Sequence, residues 1–451
     1  MITKYLTHYR IRCVALFVFI LLSSRIVLAQ PLKKDPICNQ VIYEMNVRQF
    51  TPEGTFNAAS SHLERLQKMG VDIVWLMPVH PIGKLNRKGS LGSYYAVQDY
   101  KKINPEFGND NDFKSFVKKA HQLKLKVIID WVANHSAPDN VWATSGNLSW
   151  YTLDSLGRLQ PTIGTDWWDV ADLNYDSKEM RKEMISSMSY WLKEFDLDGF
   201  RCDVADWVPQ DFWEQARAEL NKVKPIFMLA EAENPKLHEK AFEMSYAWEF
   251  HHIMNDIAKG KKKVNYILNY AENKRFPTYA HRMHFTSNHD ENSWNGTEEE
   301  RMGEARFCMA ALAFTFQGIP LIYNGQESGL NKRLRFFEKD TIDWKDYPLN
   351  NFYKDLCELH KKNSALHSGL SGGQLKILHA DTTTNVLVFS RTKGKNKVYC
   401  VFNLSASKND VNLPLKELNG GFMEWVEKKK VFIKGNYTQS LPPWSYKIYI
   451  Q

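Results

Sequence analysis

The chain has 451 residues, of which 43% are hydrophobic and 24% are charged. This length suits one large domain with an accessory domain, and the composition excludes a long disordered region. The formal net charge of +8 falls to +4 when the four basic residues among the first 29 are removed, leaving 55 Lys and Arg against 51 Asp and Glu. Such a balance gives no reason to predict nucleic-acid binding.

Residues 1–29 are predicted to be a cleaved signal peptide. A basic start precedes an apolar core at Val14–Leu22 and a small-residue exit at Val27–Ala29. A membrane anchor is the alternative interpretation, but the apolar run is too short to span a bilayer and is followed by Arg25. We therefore expect an exported protein, periplasmic or extracellular, without membrane attachment after cleavage.

Beyond the predicted signal peptide, the spacing of the cysteines is wide and irregular. This spacing is not that of a metal framework, and an odd number leaves at least one cysteine unpaired. The five are Cys38, Cys202, Cys308, Cys357 and Cys400.

From residue 41 onward, short apolar stretches alternate with helical periodicity. The predicted strands are Val41–Asn46, Ile73–Met77, Lys126–Asp130, Gly199–Asp203, Ile226–Ala230, Tyr246–Phe250, Arg282–Thr286 and Ile319–Tyr323. Between them, apolar residues recur three and four positions apart, which gives each helix one buried stripe. The alternation predicts an α/β fold, a (β/α)8 TIM barrel over residues 30–365.

Two regions depart from this alternation. Residues 135–175 are rich in Trp, Asp, Gly, Ser and Pro and are too long for an ordinary loop, so they are predicted to form an inserted subdomain. Residues 366–451 are predicted to form a C-terminal antiparallel β domain. Its predicted strands are Leu375–His379, Val386–Arg391, Val398–Asn403, Phe422–Glu424 and Tyr446–Ile450.

Four acidic residues are expected where predicted strands end: Asp130, Asp203, Glu231 and Asp290. Parallel strands of a barrel direct the side chains at their carboxyl ends into one cleft. A pair of such carboxylates is the usual equipment for breaking a glycosidic bond.

Arg201 and Asp203 share one face of a strand, because they are two residues apart. A neighbouring guanidinium lowers the pKa of a carboxyl and keeps it ionised, as a nucleophile must be. For this pair alone, a buried ion pair that stabilises the barrel is the better interpretation. Glu231 follows apolar residues, and burial would raise its pKa toward that of a proton donor; Glu233 competes for this role but lies further into the loop.

Asp290 follows Asn288 and His289 and would be a third acid able to bind sugar hydroxyls. His135 and His289 could each donate to sugar hydroxyls from the rim. Taken singly, each histidine would more often be a structural residue.

These residues lie in stretches that resemble, in order and spacing, the characteristic regions of the α-amylase family, glycoside hydrolase family 13. The stretches are Asp130–His135, Gly199–Asp203, Glu231 and Asn288–Asp290. Flanking segments resemble the family's second strand, fifth region and eighth strand, at Gly70–Pro78, Asp172–Asn174 and Gly318–Tyr323. The resemblance covers essentially the whole chain after residue 29.

The resemblance implies roles for the acids. Asp203 resembles the nucleophile that forms a covalent glycosyl-enzyme, and Glu231 is similar to the acid that protonates the leaving oxygen. Asp290 resembles the transition-state stabiliser. A retaining mechanism then predicts a separation of about 5–5.5 Å between the first two carboxyl groups. Tyr95 resembles the aromatic platform beneath the reacting sugar; a core tyrosine is the alternative.

Asn134 and Asp172 occupy positions that resemble the family's calcium ligands. Amide and carboxylate oxygens suit a hard cation, and the resemblance therefore implies a structural calcium ion that attaches the inserted subdomain to the barrel.

The sequence also departs from the family pattern. Asp206 and Trp207 stand where many α-amylases carry Lys and His, and Val204 resembles members that act on α-1,6 bonds or short oligosaccharides. Trp207 and Trp294 are candidates for outer sugar subsites, because they lie beside the catalytic motifs.

The leading hypothesis is a secreted, retaining α-glucan hydrolase that cleaves α-1,4 bonds of starch or maltooligosaccharides. One alternative is a neopullulanase-like, α-1,6-acting or transglycosylating enzyme of the same fold. A second is a non-catalytic α-glucan-binding relative, which is disfavoured because such proteins typically lose catalytic acids. The sequence does not predict the oligomeric state.

Overall fold

A closed barrel of parallel strands forms the larger part of the structure, a computed structural model that describes residues 35–451. The first strands in chain order are β1 Ile42–Met45, β2 Ile73–Leu76, β3 Lys126–Trp131, β4 His135–Ser136, β5 Ala171–Asp172, β6 Gly199–Cys202, β7 Phe227–Ala230, β8 Met244–Tyr246, β9 His281–His284 and β10 Ile319–Tyr323. Eight of them close the barrel in the order β1-β2-β3-β6-β7-β8-β9-β10, so the predicted TIM barrel is confirmed. The predicted signal peptide lies outside the described residues.

Helices follow the barrel strands and cover their outer faces. They are α1 Val47–Phe50, α2 Phe56–Ser60, α3 Leu63–Met69, α4 Asp110–Gln122, α5 Val141–Thr144, α6 Lys178–Phe195, α7 Gln210–Leu220, α8 Trp248–Ala258, α9 Asn265–Glu272, α10 Glu298–Met302, α11 Arg306–Thr315 and α12 Asn350–Lys362. Helix α4 shows how the local sequence determines the start and the buried face of a helix. Asn109 and Asp112 form a capping box at its start, and its apolar residues at spacings of three and four are buried.

The strand that carries Arg201 begins at a glycine for a steric reason. Gly199 has φ +151°, and a Cβ atom there would lie 1.8 Å from the backbone oxygen of Phe227 on the neighbouring strand. No side chain fits, so the glycine permits the close pairing of β6 with β7 that sets the positions of the residues following both strands.

One predicted strand is wrong. Tyr246–Phe250 was expected to be the sixth barrel strand, but β8 ends at Tyr246 and helix α8 begins at Trp248. The buried residues Phe250, Ile253, Met254 and Ile257 recur at helical spacing. The aromatic and apolar run across the junction belongs to the end of a strand and the start of a helix.

Between β3 and β6 the chain leaves the barrel and forms the short antiparallel pair β4–β5. His135 on β4 pairs with Asp172 on β5. This segment contains the predicted inserted subdomain, whose limits of 135 and 175 stay predictions.

The C-terminal part is an antiparallel β structure, as predicted. Its strands are β11 Gln374–Asp381, β12 Val386–Lys393, β13 Asn396–Asn403, β14 Asn409–Leu413, β15 Gly420–Glu424, β16 Lys429–Ile433, β17 Tyr437–Leu441 and β18 Tyr446–Ile450. Six form one sheet in the order β11-β12-β13-β18-β15-β16, and β14 pairs with β17. Strands β14, β16 and β17 were not predicted; β14 and β17 carry few apolar residues, and β16 begins with two lysines.

Alternation along β12 explains how the sheet is buried on two sides. Leu387 and Phe389 join the apolar core shared with the barrel, whereas Val386 and Val388 pack with residues of the β14–β17 pair. The predicted boundary at residues 365–366 falls between α12 and β11.

Two further observations concern the described residues as a whole. Within residues 35–451 no helix is long and apolar enough to cross a membrane. All five cysteines of this part of the chain are buried, and Cys202, Cys308, Cys357 and Cys400 are free thiols.

Candidate active site

A cleft of about 600 Å³ opens at the carboxyl ends of the barrel strands. Five residues chosen from sequence as catalytic or sugar-binding line it together: Tyr95, His135, Asp203, Glu231 and His289. Asp290 and Trp294 complete the predicted lining. The barrel therefore brings together side chains that are separated by up to 199 positions along the chain.

Arg201 lies beneath the cleft and joins three of the acids. Its Nη1 atom donates to Asp130 at 2.9 Å and to Asp203 at 2.8 Å, and its Nη2 atom lies 2.8 Å from Glu231 Oε2. The guanidinium is 0% exposed. Asp203 and Glu231 thus contact adjacent nitrogens of one planar group, which fixes their relative positions.

Val204 also holds Glu231. Its backbone N–H donates to Glu231 Oε2 at 2.9 Å. Its φ of +35° is unusual for a β-branched residue and costs conformational energy. This strained turn directly after Asp203 aims the N–H at the carboxylate.

Burial controls the acidity of the three proposed catalytic acids. It raises the pKa of Asp203, Glu231 and Asp290, against an opposing effect of Arg201 on each. The expectation for Glu231 agrees with this direction. The expectation for Asp203 is corrected: Arg201 does lower the pKa of its carboxyl, but desolvation of the buried group outweighs the guanidinium.

Tyr95 forms a flat wall of the cleft. Its ring is stacked on His289 at 5.5 Å and on Phe336 at 6.1 Å between ring centres. Its hydroxyl donates to Asp130 Oδ2 at 3.0 Å. Burial raises the pKa of Asp130 to about 7, and the position of this acid between Tyr95 and Arg201 suits a support for the site.

His289 lies between the cleft and the barrel interior. Its Nε2 atom is 2.8 Å from the Tyr95 hydroxyl and 3.3 Å from Asp290 Oδ2, whereas its Nδ1 atom faces Glu44. Asp290 does not directly end a strand as expected: β9 ends at His284, and Asp290 starts the helical turn Glu291–Asn295.

Aromatic side chains bound the cleft on two sides. Trp207, which is 50% exposed, stacks on the cleft residue Trp167 at 5.4 Å and 29°. Trp294 is 52% exposed and lies 5.2 Å from the Phe336 ring. Trp294 therefore lines the cleft directly, while Trp207 extends one wall from behind Trp167.

The predicted calcium ligands lie where the inserted segment meets the barrel. The Asn134 amide nitrogen is 3.3 Å from Asp172 Oδ1, and the hydroxyls of Thr162 and Thr152 donate to the two oxygens of that carboxylate at 2.9 and 3.4 Å. The carboxylate and the two hydroxyls offer oxygens of the type that calcium takes, with backbone carbonyls or water completing its shell, whereas Asn134 faces them with its amide nitrogen. Across residues 35–451 no group of three or more His, Cys, Asp or Glu could hold a metal. Calcium therefore stays a prediction.

His135 lies beside this junction and is buried. Its Nδ1 atom is 3.2 Å from the Asn134 amide nitrogen, and its ring lies 5.4 Å from Trp167. Burial lowers the pKa of His135 to about 4, so the ring is neutral at physiological pH.

Several residues of the site were not predicted from the sequence, among them Glu44, Trp167, Phe336 and Phe337. Glu44 had a signal, since it is the sole acid in the predicted strand Val41–Asn46. Trp167 lies in the tryptophan-rich insert, and the two phenylalanines lie in a stretch without periodicity, so their positions could not be predicted.

Two family descriptions match the chain. One, "Alpha amylase, catalytic domain", matches residues 34–155 and 163–364, and the other, "Maltogenic Amylase, C-terminal domain", matches residues 375–448.

Characterised relatives are similar over most of the chain. It is 28% identical over 395 residues to Alpha-amylase MalA of Haloarcula japonica, a match that covers 83% of this chain and 57% of the relative. It is 27% identical over 399 residues to Intracellular maltogenic amylase of Bacillus subtilis, covering 81% of this chain and 64% of the relative. The chain thus spans about three fifths of the length of these relatives.

Among solved structures, a noncanonic maltogenic α-amylase, AmyB of Thermotoga neapolitana, superposes with a TM-score of 0.83 at 30% identity. The alignment covers 92% of this chain and 99% of that one.

Proposed function

The chain belongs to the α-amylase family, glycoside hydrolase family 13, and on that premise we propose that it is a retaining hydrolase that cleaves α-1,4-glucosidic bonds of starch or maltooligosaccharides. Membership makes it a glycoside hydrolase. The observation that carries the proposed retaining hydrolysis is the position of the Arg201 guanidinium, whose two terminal nitrogens contact Asp203 and Glu231.

The contacts of the two acids support a division of roles between their oxygens. Asp203 Oδ1 accepts from Arg201, so Oδ2 attacks the anomeric carbon and forms the covalent bond as the glycosidic bond breaks. Glu231 Oε2 contacts both the Val204 N–H and Arg201, so the proton for the leaving oxygen is carried on Oε1. The resulting Glu231 carboxylate then takes a proton from water, and that water's oxygen displaces Asp203 from the sugar.

Other residues act on the sugar and its charge. Asp290 is the acid with the most exposed side chain of the three, at 34%, and would bind hydroxyls and stabilise positive charge on the ring. Tyr95 offers its ring to an apolar sugar face, and His135 and His289 offer ring nitrogens to hydroxyls. The separation of about 5–5.5 Å between Asp203 and Glu231 stays a prediction.

A second candidate function is favoured by one departure from the family pattern. Asp206 and Trp207 replace the Lys-His pair, and Trp207 stacks on Trp167, which lines one wall of the cleft. This wall supports action on short oligosaccharides, on α-1,6 bonds, or transfer to a second sugar.

Export is also part of the proposal. Its support is the pattern of the first 29 residues, whereas the Bacillus subtilis relative is named as intracellular. Fractionation of cells that express the full chain tests it: a product shortened by 29 residues outside the cytoplasm is expected, and a full-length cytoplasmic product would contradict export.

Structural calcium at Asn134 and Asp172 is proposed on the oxygen groups that meet there. We expect EDTA to lower the melting temperature of the protein and calcium to restore it. Asp172→Asn should remove that calcium-dependent difference. An equal melting temperature in EDTA and in calcium would contradict the site.

The function is tested by assaying the purified protein on soluble starch, maltotriose and pullulan. New reducing ends from starch or maltotriose would support α-1,4 cleavage. Products from pullulan alone would contradict it and indicate cleavage of α-1,6 bonds instead. Asp203→Asn should abolish turnover with glucan binding retained. Asp346→Asn is the matched control, because this exposed acid lies outside the cleft lining and its variant should stay active.

A further inference from the structure

Glu44 is a buried acid beneath the cleft to which the proposed chemistry gives no role. It lies on β1, and its side chain is 0% exposed. Its Oε1 atom lies 2.5 Å from His289 Nδ1 and accepts from the His289 backbone N–H at 3.4 Å. A carboxylate removed from water is costly unless a cation or several donors balance it, so this partner is essential to it.

His289 has an acceptor at each ring nitrogen. Glu44 faces Nδ1, and the Tyr95 hydroxyl and Asp290 face Nε2. Because the Tyr95 hydroxyl donates its single proton to Asp130, its oxygen accepts from His289. A neutral imidazole carries one N–H, whereas two donating nitrogens require the imidazolium.

The charged groups around the ring have opposing effects. Burial alone would lower the pKa of His289, but Asp290 and Glu44 raise it to about 9, against a smaller effect of Arg201. The remaining ring contacts are aromatic: Trp75 at 6.0 Å, Tyr95 at 5.5 Å and Phe336 at 6.5 Å.

We propose that Glu44 is a positioning residue that holds His289 as an oriented cation beneath the reacting carboxylates, an inference that rests on the proposed function. The cation opposes the effect of burial on the pKa of four acids: Asp130, Asp203, Glu231 and Asp290. If His289 lost its charge, only Arg201 of the two would still lower the pKa of these acids. The nucleophile Asp203 would then be protonated in a larger fraction of molecules.

Glu44→Gln tests the proposal, because glutamine keeps the shape and removes the charge. Proton–carbon NMR of histidine labelled with ¹³C in the ring gives the titration midpoint of His289, assigned by the signal missing from His289→Gln. The midpoint is expected near 9 in the wild type and about 1–3 pH units lower in the Glu44→Gln protein. The kcat at pH 8 should fall about tenfold, with KM changed less than about twofold.

Glu327→Gln is the matched control. This glutamate is also 0% exposed, but it pairs with Arg65 and Tyr43 away from the cleft. Its substitution should leave the His289 midpoint unchanged.

A wild-type midpoint near 6.5, or equal midpoints in the wild type and Glu44→Gln, would overturn the proposal. A wild-type midpoint near 6.5 overturns the proposal even when the variant does not fold. It is read without substrate, so failure of this inference is distinguishable from failure of the proposed function, which shows as a wild type that releases no sugar.

Discussion

Two buried arginines occupy opposite environments in this molecule. Arg201 lies beneath the cleft among three carboxylates, whereas Arg391 lies where the C-terminal sheet meets the barrel. The four hydrogen bonds of Arg391 go to backbone carbonyls, those of Gly373, Thr315, Phe316 and His367. Both side chains are almost completely buried, but their partners differ in one respect: those of Arg201 titrate and those of Arg391 do not.

The difference shows up in the acidity of the guanidinium groups. Burial lowers the pKa of Arg391 to about 10, whereas the carboxylates around Arg201 reverse the effect of burial and raise its pKa. A buried cation among acids sets protonation states and serves chemistry. A buried cation among carbonyls satisfies polar backbone groups and serves stability.

The largest expected effect is that of Glu231→Gln, a substitution in the cleft that should lower activity and leave stability unchanged. Loss of the proton donor should lower kcat by about 10²–10⁴-fold on maltotriose without lowering the melting temperature. A substrate with a good leaving group needs less protonation, so an aryl α-maltoside should lose much less activity. Equal losses on both substrates would contradict the assignment of Glu231 as the acid.

Arg391→Met should give the reverse result. Several buried carbonyls would lose their donor, so the free energy of unfolding in urea should fall by about 2–4 kcal/mol. The kcat/KM per folded molecule should stay within about twofold. Arg335→Met is the control, because that side chain is 67% exposed and its loss should change stability by less than about 0.5 kcal/mol. A large loss of kcat in Arg391→Met would contradict the claim that Arg391 serves stability and Arg201 serves chemistry.

The pH dependence of stability should come from the cleft. The folded-state pKa of His289, about 9, is above its ordinary value, so its protonation stabilises the fold fully below pH 6.5 and is lost as pH rises through 9. The loss amounts to at most about 3 kcal/mol. Urea unfolding at pH 6.5 and 9 measures it; His289→Gln should remove this difference and Arg391→Met should retain it. An identical dependence in the wild type and His289→Gln would contradict the assignment.

The smallest effect is expected at the aromatic wall. Trp207→Ala removes the stack on Trp167 and should raise KM for maltopentaose by about 2–10-fold, with kcat nearly unchanged. Trp168→Ala is the matched control, since Trp168 is 65% exposed and lies outside the cleft lining. Equal KM values for Trp207→Ala and Trp168→Ala would remove Trp207 from the proposed outer subsite.

The barrel and its acids could be predicted because they leave local signals. Short apolar strands show continuous burial, and helices show apolar spacings of three and four. Asp130, Asp203 and Glu231 lie at or directly after strand ends, whereas Asp290 does not. The same reasoning misplaced the strand at Tyr246, because an apolar run does not distinguish a strand end from a helix start.

The rest of the site depends on distant parts of the chain. Glu44 and His289 are 245 positions apart, so no local pattern pairs them. The net pKa of Asp203 could not be predicted either, since it depends on how far burial outweighs Arg201. Phe336 and Trp167 reach the cleft from aperiodic segments, and only the closed barrel brings them there.

The central claim, that the carboxylates held by Arg201 perform retaining hydrolysis, is tested most directly by a proton NMR time course of the purified protein on maltotriose. Two displacements at the anomeric carbon, first by Asp203 and then by water, predict that reducing ends appear first in the α configuration and then mutarotate. Early appearance of β-configured ends would show a single displacement by water and would contradict the account.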